Sequence, residues 1–200
     1  MRENYKTIFS GIAEFLLAAL IAAGVVGCIY LDVIVHQGIV ENSFVEFAQE
    51  ALLMATTVIF AIQAIAKRHG GLWLVAGFFG CMLLREFDAF FDMIVHGAWK
   101  YFALVVIAFV FFKAWRFGKE NTIATLAAFM KTRAFIFIFL GLLIVLAYSR
   151  LFGMGELWHA IMGDNYKRIV KNVVEEGSEL WGYALVFWGT VKYWLESKRG

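Results

Sequence analysis

The chain has 200 residues, of which 62% are hydrophobic and only 17% charged, with a formal net charge of +2. Ordinary globular domains sit nearer half apolar and a quarter charged, so the composition points to a polytopic membrane protein. Without a basic stripe or a nucleic-acid motif, a nucleic-acid partner is excluded.

In chain order, apolar runs predict six spanning helices at about 8–35, 45–66, 71–95, 98–117, 127–152 and 168–196. Each is near the ~20 residues that a bilayer core requires. The first run is too long for a signal-peptide core and is read as a retained helix. Gly70, Gly97 and Gly118 close the second, third and fourth runs, and the chain has no Pro to kink them. Arg2, Lys6, Lys67, Arg68, Lys113, Arg116, Lys119, Lys131, Arg133, Lys192, Lys198 and Arg199 fall on one side of this arrangement. By the positive-inside rule that side is cytoplasmic, and it holds both termini. The expected fold is therefore an all-α bundle of six transmembrane helices. It forms a single domain over 1–200, placed in a bacterial cytoplasmic (inner) membrane. Cys28 and Cys81 lie in apolar runs, and whether they pair is open.

Two helix ends share Asp-x-Ile-Val-His, at Asp32–His36 and Asp92–His96, and two helix starts share Glu-x-x-x-Glu, at Glu46–Glu50 and Glu175–Glu179. Residues four apart share a helix face. Counting at 1.5 Å per residue places Glu50, Glu86 and Glu179 about 25 Å from the basic ends, in one inner acidic layer beside Arg85. Asp32, His36, Glu46, Asp92, His96 and Glu175 form an outer layer, which His159 can join. On the third helix Arg85, Asp88, Asp92 and His96 share one face.

Carboxylates and imidazoles from several helices are the ligand set of metal-binding bundles, although those use Glu-x-x-His rather than a four-residue spacing. Here only Glu156-x-x-His159 keeps that shorter spacing. The expected metal ligands are His36, His96, Asp32, Asp92, Glu50, Glu175 and Glu179, binding Zn, Fe or Mn. Glu50, Arg85, Glu86 and Glu179 are the candidate catalytic groups. Arg85 would hold a lipid or other anionic small molecule for hydrolytic or redox chemistry near the periplasmic face. Two other readings stay open. One is proton or ion transfer through the crowded carboxylates. The other is an accessory subunit, alone or as a homo-oligomer or membrane-complex member, whose buried charges are structural. Gly-x-Ser-x-Gly, His-Glu-x-x-His and Walker motifs are absent.

Overall fold

The computed structural model describes residues 1–36, 43–93 and 95–199, with the side chains of Glu3, His36 and Arg199 outside that description. Its helices are α1 (Arg2–His36), α2 (Phe44–Lys67), α3 (Gly70–Glu86), α4 (Asp88–Asp92), α5 (Trp99–Phe117), α6 (Lys119–Met130) and α7 (Arg133–Leu143). A π-helical turn (Ile144–Tyr148) leads into α8 (Ser149–Phe152), α9 (Gly155–Met162), a 3-10 turn (Gly163–Asn165) and α10 (Arg168–Arg199). The chain divides into two compact units, one of residues 1–48 and 144–181, the other of residues 49–143 and 182–200.

The six-span bundle is corrected. Among the described residues, three helices are long and apolar enough to cross a membrane: Asn4–Val35, Phe44–Lys67 and Arg133–Phe152. A fourth is reached only if α5 and α6, bent by 106° at Gly118, count as one. The third predicted run fails because α3 has 17 residues and the helix breaks at Phe87 before α4. The sixth forms a 32-residue helix that is long enough but not apolar enough to be among them. The inner-membrane location, the bilayer partner, the membrane-complex or homo-oligomer partner and the two cytoplasmic termini, expected from apolar composition, charge placement and the six runs, are corrected with it. The three apolar helices are themselves only weakly covered, while ion pairs and hydrogen bonds occupy the interior.

In the first unit, α2 is started by a residue of α1. Asp32 Oδ1 accepts the Phe44 N–H at 2.8 Å and Oδ2 accepts the Val45 N–H at 2.9 Å. Ser43 completes the cap, its Oγ taking the Glu46 N–H at 3.2 Å and its carbonyl the Phe47 N–H at 3.0 Å. The amides of Phe44, Val45 and Glu46, the first three helical residues and without intrahelical partners, are thus all satisfied, and the Phe47 N–H makes the first ordinary helical bond. Asp32 and Ser43 are buried for this purpose.

The second unit is organised around Phe60 of α2. Its ring stacks on Phe79 and Tyr193 and meets Phe129 edge-on, joining α2, α3, α6 and α10. Offset and edge-on geometries suit the ring quadrupoles. Helices α7 and α10 approach at Gly141 and Gly189. A Cβ at Gly141 would stand 2.5 Å from the Gly182 carbonyl oxygen, and one at Gly189 2.8 Å from that of Ala134. Near the end of α10, Ser197 Oγ lies 3.0 Å from the Gln63 side-chain amide and 2.9 Å from the Trp194 carbonyl. Both neighbours, Gln63 Oε1 and the Trp194 carbonyl, are acceptors, and the single hydroxyl proton is shared between them.

Candidate functional site

The first unit has an open cavity of about 600 Å³ between α1, the π-helical turn and α10. Ala22, Val25, Val26 and Ile29 form one wall, Ile144 and Tyr148 a second, and Val173, Val174, Gly177, Ser178 and Trp181 a third. The third wall follows from helical periodicity, since positions 174, 177, 178 and 181 return to one face of α10. The second depends on the π-helical turn, whose first and last residues are the two that line the cavity. Single π-helical turns inside α-helices recur at functional sites. Gly177 lets α1 come close: a Cβ there would sit 2.7 Å from Ile29 Cδ1. Ser178 Oγ donates to the Val174 carbonyl at 2.6 Å, which leaves its lone pairs free to accept.

Among the described residues no charged side chain lines the cavity, and four charged residues of the same unit, Arg150, Lys171, Glu175 and Glu179, compensate one another. Arg150 reaches Glu179 at 2.8 Å and Glu175 at 3.8 Å. Lys171 pairs with Glu175 at 2.8 Å, and Ser149 Oγ lies 3.1 Å from Glu179. Glu175 fits against the backbone because residue 153 is Gly, where any Cβ would collide with its carboxylate.

The metal-site reading is corrected. Among the described residues, no group of three or more His, Cys, Asp or Glu side chains is placed to hold a metal ion. The reasons are local. Both Asp32 oxygens are engaged by backbone amides. Glu175 and Glu179 are neutralised by Arg150 and Lys171. Asp92 Oδ1 accepts the Gly97 N–H at 2.7 Å and its Oδ2 meets His96 Nδ1 at 2.7 Å, with His96 93% exposed. That Gly97 amide, and then the His96 ring, hold the Asp92 carboxyl below the usual carboxylate range. Glu50 is half-buried on α2, and the His36 side chain lies outside the described residues. The expected Zn, Fe or Mn ion therefore has no such ligand group among the described residues. The periplasmic carboxylate–histidine centre, with its lipid or redox chemistry, is withdrawn, as are the ion-transfer and accessory-subunit alternatives tied to it.

Of the candidate catalytic groups, Arg85 and Glu86 do meet, at 2.8 Å in the second unit. Tyr183 Oη donates to the same Glu86 oxygen at 2.7 Å. Glu179 belongs to the first unit, with Arg150 and Ser149. Sequence reasoning missed Tyr183, Arg150 and Ser149 as partners. Only Lys171 carried a readable signal, four residues before Glu175. Cys28 and Cys81 are free thiols. Comparison with protein-family profiles, with curated proteins and with solved structures returns no match.

Proposed function

We propose that the first unit binds an uncharged, largely apolar small molecule in the cavity between α1, the π-helical turn and α10. The observation that carries this reading is the cavity itself, about 600 Å³ with a mostly aliphatic lining. Pockets for drug-sized ligands run from about 300 to 1,000 Å³, mainly apolar with a few polar groups that set orientation. Tyr148, Ser178 and Trp181 supply those polar groups here. A charged ligand is disfavoured, because an ion in an apolar pocket loses its hydration and finds no opposite charge in the lining. A helical peptide is also a poor occupant, being about 10–12 Å across with its side chains.

The test is equilibrium binding of the uncharged fluorophore N-phenyl-1-naphthylamine to the wild type and to Gly177→Leu and Ala22→Phe. Ala22→Phe fills the cavity from α1, whereas Gly177→Leu also presses on Ile29 of α1, so weakening in both variants is what reports the cavity. Binding should weaken at least tenfold in both variants. Equal affinity in all three proteins, with helix content retained, would remove the proposal.

A further inference from the structure

In the second unit, the turn between α2 and α3 lies directly on the turn between α5 and α6. Asn121 Oδ1 accepts the Gly70 N–H at 2.8 Å. A Cβ at Gly70 would collide with Thr122 Oγ1 and stand 3.3 Å from both the Ala114 carbonyl oxygen and Phe117 Cβ. The contact continues along the seam of α3 and α5, where Trp73 and Phe109 meet edge-on with centroids 5.4 Å apart. On this seam α3 contributes Trp73, preceded at the helix start by the N-cap residue His69, and α5 contributes Phe109, Lys113 and Arg116 at helical spacing. Lys113 Nζ sits 5.4 Å from the Trp73 ring centre and 5.3 Å from that of Phe109.

Two polar atoms on this seam are buried without a hydrogen-bond partner: Trp73 Nε1 and His69 Nδ1. An indole N–H can only donate, so Trp73 lacks an acceptor. A buried donor left unmatched costs about 1–3 kcal/mol, so an acceptor at Trp73 Nε1 would be stabilising. The surroundings indicate the kind of acceptor. Arg68, Lys113, Arg116 and Lys119 stand in or beside the two turns, and none forms an ion pair with a carboxylate among the described residues. The one acidic residue in these turns is Glu120, the second residue of α6.

We propose that the α3–α5 seam binds a small oxyanion of the phosphate class, which accepts from Trp73 Nε1 and the His69 ring and is neutralised by Lys113, Arg116 and Arg68. Guanidinium and ammonium groups pair strongly with phosphate oxygens. The site is independent of the cavity in the first unit, so either can fail alone.

The experiment follows the tryptophan indole N–H resonances of the ¹⁵N-labelled full chain during titration with inorganic phosphate, and separately with glycerol 1-phosphate. Trp73→Phe assigns the peak, and Lys113→Met tests the charge. The Trp73 peak should move saturably with at least one of the two anions, and Lys113→Met should weaken that binding at least tenfold while leaving the other indole peaks in place. Tighter binding of inorganic phosphate identifies the free ion as the occupant, and tighter binding of the monoester identifies an esterified phosphate. A Trp73 peak that moves with neither anion, or moves equally in Lys113→Met, overturns the proposal and leaves water as the acceptor.

Discussion

Replacing Asp32 with Asn tests whether this buried carboxylate exists to start α2. In the wild type both oxygens accept backbone amides, from Phe44 at 2.8 Å and Val45 at 2.9 Å, and the side chain is fully buried. Asparagine has nearly the same shape but only one accepting atom. One charge-assisted bond becomes neutral and the other is lost, because the amide NH₂ then faces a backbone N–H. Hydrogen bonds to charged groups contribute about 1.5–3 kcal/mol, and an unmatched buried donor costs about 1–3 kcal/mol. Loss of negative charge at a helix start adds a few tenths of a kcal/mol or more. Since these terms overlap, Asp32→Asn should lose about 2–4 kcal/mol. With a urea m-value near 2 kcal/mol/M, the denaturation midpoint falls by about 1–2 M. Urea unfolding followed by circular dichroism measures this, with the exposed Asp164→Asn as a control expected to stay within about 0.5 kcal/mol. Hydrogen exchange supplies the local readout, as the Phe44 and Val45 amides should lose protection before the rest of α2. If Asp32→Asn matches the control and those amides stay protected, the capping role is wrong.

Arg150→Met should cost about 2–3 kcal/mol, because Glu179 stays buried while its partner is removed; this lies below the full cost of breaking a buried pair because Arg150 is itself 46% exposed. Adding Glu179→Gln should recover more than half of the loss in a urea double-mutant cycle, and a purely additive result would show that the pair is not coupled. Burial, and then Lys67, hold His69 below the ordinary histidine range. The unfolded chain therefore takes up this proton first, and His69 reduces stability as pH falls below about 6.5, with the penalty growing until the folded-state pKa is passed. In phosphate-free buffer, His69→Gln should flatten the stability profile over that window, and an unchanged slope would count against a buried, neutral ring.

What the sequence disclosed and what it concealed can be traced to individual residues. The ends of α2 and α5 were readable because apolar runs there stop at polar or glycine-bearing turns. The break at Phe87 was not, since no Gly or Pro marks it. The π-helical turn at Ile144–Tyr148 leaves no local signature either, as its residues would serve equally well in an ordinary α-helix. The paired Asp-x-Ile-Val-His segments are more instructive. In one copy Asp92 and His96 do meet, at 2.7 Å, although α4 ends at Asp92 and His96 lies outside any helix. In the other, Asp32 turns its carboxylate to the start of α2, because two unmatched amides there are stronger claimants. Depth counting gathered Glu86 and Glu179 by height along a span but did not settle their partners; each has an arginine and a hydroxyl within its own unit, Arg85 and Tyr183 for Glu86, Arg150 and Ser149 for Glu179. Spacing along a helix determines which groups share a face. Whether they act together depends on what the neighbouring backbone and cations need, and that appears only once the chain is folded.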